Sequence, residues 1–250
     1  MRSFTEPIEQ GILTLVDTFL DHKDTILVPT FSDQFLERPT APYMPKQNGV
    51  GDYSYFLNNT YDETKIFNPN CKDITTEEMG TFPTYILNCK DSKRGNHMLN
   101  SFTALGPNAA ELISGQTAID VYAPLKQLYQ DDGYVLLMGV GLESATILHY
   151  AEQVAGRTPF IRWAFNDRKQ IIPVSAGSCS EGFNRLAPFV EPYKKSVTVG
   201  GSVWQCYRAR DLVDICAAEI RRNPMITHCG DKECERCNDA VLGGPIIAFE

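Results

Sequence analysis

The chain has 250 residues, 43 % of them hydrophobic, enough to bury the core of a large α/β domain without disulfides. A net charge of -8 lacks the basic footprint that a phosphate backbone demands, which argues against nucleic acid as a partner. No apolar run approaches the roughly eighteen residues that span a bilayer, and the first residues lack the order of a signal peptide, so the expectation is a cytoplasmic protein without a membrane partner. In that reducing compartment the eight cysteines are expected as thiols or metal ligands rather than bridges.

In chain order, Thr5, Glu6 and Pro7 start a helix along which Ile8, Ile12, Leu15, Val16 and Phe19 recur at helical spacing. The run from Thr25 to Phe31 is a short buried strand ending at Pro29. From Ser32 to about Thr76 periodicity fades, Pro, Asn and Gly are frequent, and seven aromatics lie between Phe35 and Phe67. Residues 33–80 hold eight carboxylates against Arg38, Lys46, Lys65 and Lys72, half of the net negative charge. A long irregular stretch of this kind reads as a substrate-covering lobe, whose aromatics and carboxylates suit a small cationic amine, or as a solvated loop. Further on, helices are expected at 107–114, 124–130, 143–156 and 211–222. Strands are expected at 134–140, 159–165, 169–176 and 202–207, with Ser144 as helix cap and Gly156 as stop. Alternation of this sort gives an α/β fold, here a single domain over residues 1–250 with the 33–80 lobe and a cysteine-rich tail at 224–250.

The turn Gly139–Val140–Gly141 follows a buried strand and opens the helix that bears His149. That places the imidazole near the carboxyl end of a sheet, where open α/β folds bind ligands. Glu152, three residues on, shares the helix face of His149, and Glu143 sits at the helix mouth. A carboxylate on one ring nitrogen fixes the tautomer and makes the other a better base. The same spacing also serves as a plain packing or surface pair.

Five segments, PTFS (29–32), GTFP (80–83), HMLNSFTALGPNA (97–109), LLMGVGLESATILHYAE (136–152) and VGGSVWQCYRARDLVD (199–214), resemble the antibiotic N-acetyltransferase family in order and spacing. The resemblance runs over residues 6–222 and implies a three-layer α/β/α fold with a mixed sheet. It also implies transfer of an acetyl group from acetyl-CoA to an amine, commonly on an aminoglycoside. It makes His149 the general base, with Glu143 orienting the ring and Glu152 as a second catalytic carboxylate. On the same footing Thr30, Ser32, His97 and Ser101 fall on the acetyl-CoA side, and Asp52, Tyr55 and Thr146 on the acceptor side. Hydroxyls at Thr30 and Ser32 suit an oxyanion, though they equally suit the capping of a strand end. The family's serine- and glycine-rich turn for the CoA pyrophosphate belongs before residue 6, so either it lies upstream of Met1 or the donor site is built differently. Thr84, Met98 and Ala145 stand where the family often has glutamate, proline and asparagine, which opens the acceptor to amines other than aminoglycosides.

The tail carries His228, Cys229, Cys234 and Cys237, close to zinc-ligand spacing. The expectation is a structural zinc on Cys229, Cys234 and Cys237 with Cys206 or Cys216 as fourth ligand, or otherwise free thiols. Two rival functions stand beside acetyl transfer: a diverged CoA-independent lyase or cyclase on the same His/Glu site, and a non-catalytic amine-binding protein. The oligomeric state stays open, a homodimer included. If the acidic lobe steers a cation, Asp52→Asn with Asp62→Asn weakens binding of a cationic acceptor more at 20 mM than at 500 mM salt, roughly the span over which screening removes such steering. Calorimetry at both salts reads this, and equal losses dispose of the steering.

Overall fold

Short apolar runs alternate with helical stretches along the chain, and the observed secondary structure is accordingly α/β. The computed structural model describes residues 10–37, 45–49 and 66–246. Its strands are β1 (Ile26–Pro29), β2 (Leu36–Glu37), β3 (Lys93–Arg94), β4 (Phe102–Leu105), β5 (Tyr134–Met138), β6 (Phe160–Phe165), β7 (Ile171–Ala176), β8 (Lys195–Val199) and β9 (Ser202–Arg208). The described residues divide into two compact units.

The first unit takes residues 10–37, 66–124 and 162–175. The helix Gly11–Asp21 turns Val16 inward, where it joins Val28 of β1, Ile86 and Leu105 in an apolar cluster. β4 lies between β1 and β3, antiparallel to both, with Val28 opposite Thr103. A second cluster gathers Phe35, Phe67, Met98, Leu99, Ala164 and Val174. β2 pairs antiparallel with β6, Leu36 opposite Ala164, and β7 flanks β6 on its other side. The helix Thr81–Asn88 carries Pro83 in its first turn, where proline is tolerated but makes the segment read as a break.

The second unit takes residues 45–49, 125–161 and 176–246. Its sheet has the order β5-β9-β8, both pairings antiparallel, with Trp204 opposite Met138 and Val197. The helix Ala209–Arg222 buries Leu212, Val213, Cys216, Ala217 and Ile220, a stripe at helical spacing, and packs against the helix Ile147–Val154. Entry to that shorter helix differs from the expectation of one continuous helix capped by Ser144. Leu142–Ser144 forms a 3-10 turn, and Ala145, buried with ψ 81, breaks the ladder before Thr146 caps Ile147–Val154. Burying both Leu142 and Ala145 needs this two-step entry.

Gly156 does end the helix. It adopts φ +105, its N–H donates to the Gln153 carbonyl, and the Arg157 N–H donates back to the Glu152 carbonyl at 2.9 Å. This pair of bonds is a glycine-terminated helix stop, and it folds Arg157 back over the last turn, beside Glu152. Of the expected 33–80 lobe, residues 38–44 and 50–65, with Asp52 and Tyr55, lie outside the described residues.

The backbone at Gly156 sets up the pair at the heart of the site. Gly156→Ala is therefore expected to lower stability by about 1–3 kcal/mol, the usual cost of a side chain at positive φ. Urea unfolding at pH 7 measures it, and an unchanged midpoint refutes the strain.

Candidate functional site

His149 and Glu152 lie three residues apart on one buried face of the helix Ile147–Val154, only 8 % and 5 % exposed. The Glu152 Oε2 sits 2.7 Å from His149 Nδ1 and also accepts from the Ser178 hydroxyl at 3.0 Å. Its other oxygen, Oε1, receives the guanidinium of Arg157. Arg157 donates further to the Thr227 hydroxyl at 2.6 Å and to the Pro224 carbonyl at 2.5 Å. The ring of Phe183 meets the imidazole edge-on, centroids 4.9 Å apart. Carboxylate, guanidinium and imidazole thus interlock with little contact with water.

Burial alone pushes the Glu152 carboxyl up. The hydrogen bond from His149 and the charges of His149 and Arg157, with the Ser178 hydroxyl, outweigh it and hold the group below its ordinary 4.5. A carboxylate that stays ionised is an acceptor, so the His149 nitrogen facing it, Nδ1, is the one that carries the proton. Glu143 is placed differently: its Oε1 accepts the Gly141 N–H at 3.0 Å. Burial raises the Glu143 carboxyl, but the N–H groups of Glu143 and Gly141 and the Asn184 side chain bring it below the usual range. The structure thus brings His149 together with Glu152, while Glu143 braces the turn before the helix. Thr146, half-buried, caps that helix, and its carbonyl accepts the His149 N–H at 3.0 Å.

In the first unit Thr30, Ser32, His97 and Ser101 are all buried. Thr30, Ser32 and Ser101 surround Arg94, a buried cation whose Nε donates to Ser101 Oγ at 2.8 Å and whose Nη2 donates to the Thr30 carbonyl at 2.8 Å and Ser32 Oγ at 3.2 Å. The same guanidinium donates to the Cys71 carbonyl and lies over the Phe67 ring. His97 Nδ1 accepts the N–H groups of Leu99 and Asn100, so its Nε2 carries the proton and donates to the Ser175 carbonyl at 2.8 Å. Burial brings that imidazole down to about 4, so it is neutral and ties two segments together. In the tail, Cys229, Cys234 and Cys237 do converge, but the fourth sulfur in the cluster is Cys179. Cys216 is instead buried on the inner stripe of the helix Ala209–Arg222, and Cys206 lies in β9 opposite Leu136 and Lys195, which corrects the expected fourth ligand.

A sequence model of one family, described as aminoglycoside 3-N-acetyltransferase, matches residues 1–220. The chain belongs to that family. The aminoglycoside N(3)-acetyltransferase IV of a Salmonella species is 25 % identical over 236 residues, covering 88 % of this chain and 78 % of the relative. A shorter stretch of 86 residues, 30 % of this chain and 32 % of the relative, is 38 % identical to the aminoglycoside N(3)-acetyltransferase III of Serratia marcescens. Among solved structures, the apoenzyme of aminoglycoside acetyltransferase AAC(3)-IVa matches with a TM-score of 0.71 and 23 % identity, over 97 % of this chain and 87 % of that one. The YokD protein of Bacillus subtilis matches with a TM-score of 0.67 and 20 % identity, over 87 % of each chain. Both are likenesses of fold. No helix among the described residues of this acetyltransferase-family chain is long and apolar enough to cross a membrane.

Arg157, Ser178, Phe183, Thr227 and Arg94 escape a reading of the sequence. Gly156 foreshadows Arg157, because a glycine stop returns the following residue to the last turn. Ser178 and Thr227 reach Glu152 and Arg157 across 26 and 70 residues, and nothing local marks them.

The depressed Glu152 carboxyl fixes the sign of an acid response. Its contribution is complete above the ordinary 4.5 and is lost as pH falls through the lower folded-state value. Glu152→Gln leaves Arg157 buried without its anion, which costs about 3–5 kcal/mol at pH 7. The gap in Tm between the two proteins is expected to narrow as pH drops from 7 towards 3, and thermal melts across that range that stay parallel rule it out.

Proposed function

We propose that this chain transfers the acetyl group of acetyl-CoA to an amine of a cationic aminoglycoside, with His149 as general base. The observation that carries the proposal is the buried His149–Glu152–Arg157 arrangement, in which one ring nitrogen is tied to a carboxylate that is itself held on both oxygens. Membership of the family supports the reaction, and a variant of AAC(3)-IVa solved in complex with a gentamicin supports the acceptor class. In the same reading the fold is the family's three-layer α/β/α arrangement with a mixed sheet. The free state of all eight cysteines suits a reducing, cytoplasmic setting.

The acceptor amine attacks the thioester carbonyl carbon, and His149 Nε2 takes the proton that the nitrogen sheds. As the tetrahedral carbon collapses, the C–S bond breaks and the imidazolium returns that proton to the departing sulfur. Glu152 acts through His149 as a positioning residue, keeping the proton on Nδ1 throughout. Glu143 steadies the turn from which the helix starts, and Thr146 at its cap is assigned to the acceptor side with Asp52 and Tyr55. Thr30, Ser32, His97 and Ser101 are assigned to the acetyl-CoA side as supports, because their polar groups are engaged with Arg94 and with main chain.

General-base catalysis contributes about a hundred- to ten-thousand-fold in rate. His149→Ala is expected to lower kcat by that factor in a thiol-release assay with acetyl-CoA and gentamicin, while calorimetry still shows acetyl-CoA binding. A wild-type chain that binds no acetyl-CoA ends the proposal, and so does an unimpaired His149→Ala variant.

A further inference from the structure

Half of the cysteines meet at one point, one of them distant in sequence from the other three. Cys179, on the segment after β7, and Cys229, Cys234 and Cys237 of the tail bring their sulfurs within 4.8 Å of one another. All four are free thiols, Cys179 and Cys237 buried, Cys229 and Cys234 half-buried. Four sulfurs at about 2.3 Å from a tetrahedral zinc stand roughly 3.8 Å apart, so the cluster needs to draw in by about 1 Å at most. A soft all-sulfur set selects zinc over magnesium or calcium.

The main chain around the sulfurs is already arranged as a ligand loop. The Cys229 N–H donates to Cys237 Sγ at 3.3 Å. Cys234 caps the helix Glu235–Val241, and its carbonyl accepts the Asn238 N–H at 2.9 Å. His228 Nδ1 accepts the Gly230 N–H, and its Nε2 donates to Asn238 Oδ1 at 2.9 Å, so His228 braces the loop with both nitrogens and is no ligand. Four thiolates around one zinc carry two net negative charges, and the Arg185 guanidinium lies against Gly230 on the same loop.

The two segments that supply the sulfurs also supply the outer support of His149. Ser178, next to Cys179, donates to Glu152, and Phe183, four residues past Cys179, packs on the imidazole. Thr227, two residues before Cys229, takes the guanidinium of Arg157. Between them, Gly182 is pressed so closely on the Thr227 carbonyl that a Cβ would stand 2.1 Å from its oxygen. A metal bonded to all four sulfurs would hold these two segments in register.

We propose that Cys179, Cys229, Cys234 and Cys237 hold one zinc ion as thiolates, a clamp that positions Glu152 and His149. Each thiol releases its proton to solvent as the metal enters, and no electron changes hands. The metal site stands independently of the reaction, whereas its positioning of His149 rests on the proposed acetyl transfer.

Elemental analysis of the full-length protein, purified reduced and without chelator, is expected to find about one zinc per chain. Replacement by Co(II) is expected to give the intense visible bands of a tetrahedral thiolate site. Cys179→Ser and Cys237→Ser lose the metal, while Cys206→Ser and Cys216→Ser keep it. Should the ligand variants fail to fold, titration of the native protein with an organomercurial reads the same point, zinc leaving as four thiols are consumed. Four reactive thiols with no zinc, disulfides among them, or zinc retained in folded Cys179→Ser each overturn the metal site. Removing zinc from the folded chain is expected to lower kcat about tenfold or more with little change in KM, the mark of misplacement rather than lost binding. Equal kcat with and without zinc overturns the clamp, and bound zinc without any acetyl transfer overturns the proposed reaction while the metal site stands.

Discussion

A carboxylate withdrawn from water costs several kcal/mol unless charge and hydrogen bonds replace what the solvent supplied, and Glu152, 5 % exposed, is such a group. Its replacements come from the helix that carries it, the stop that ends that helix, and two distant segments that deliver Ser178 and Thr227. If any of these shifts, a charge is left buried and unpaired, so the 178–183 and 224–229 segments are bound to the helix by charge and hydrogen bonds as well as by apolar packing. The geometry of His149 is a by-product of that compulsion. Its ring is held at Nδ1 by an acceptor that has no other place to go, and on its face by Phe183.

The first unit solves the opposite problem. Arg94 is a buried cation that donates to oxygens of Thr30, Ser32, Cys71 and Ser101 and to the Cys71 sulfur, with the Phe67 ring beneath it. Burial draws that guanidinium below its ordinary range, while Cys71 and Asp73 pull it back. Neutral acceptors satisfy its N–H groups, and the compensating charge comes from Cys71 and Asp73 at longer range. Three of the residues read from sequence as the acetyl-CoA side, Thr30, Ser32 and Ser101, are therefore ligands of this buried cation.

Where an element's packing partner lies within its own periodicity, the sequence discloses it. The helix Ala209–Arg222 is legible because its buried positions recur at helical spacing, and the strands β5, β6 and β9 because they are short runs rich in apolar, aromatic or β-branched residues. β8, KSVTV, is exposed along most of its length and makes its bonds only to β9, so no apolar signal marks it. The helix Thr81–Asn88 is hidden by Pro83, which signals a break when read without knowing that it lies in a first turn. In the site, His149 and Glu152 are legible as a pair three residues apart, and the carboxylate at the helix mouth, Glu143, looks equally eligible on paper. What separates them is the 3-10 turn at Leu142–Ser144, which turns the Glu143 carboxylate back to the Gly141 N–H and leaves Glu152 to meet the ring. The same limit hides Cys179, because a fourth sulfur that arrives from the segment after β7 has no spacing relation to the tail.

The proton inventory of the triad follows from the charge on Arg157. A lone glutamate and histidine in a dry pocket can share one proton with either group as its owner, since both charged forms are costly there. With Arg157 permanently protonated on Oε1 and Ser178 donating to Oε2, Glu152 is held ionised. The shared proton is then held at His149 Nδ1, the tautomer that the proposed acetyl transfer requires. Arg157 acts on the imidazole through Glu152, and by keeping that carboxylate ionised it sets the tautomer of the ring.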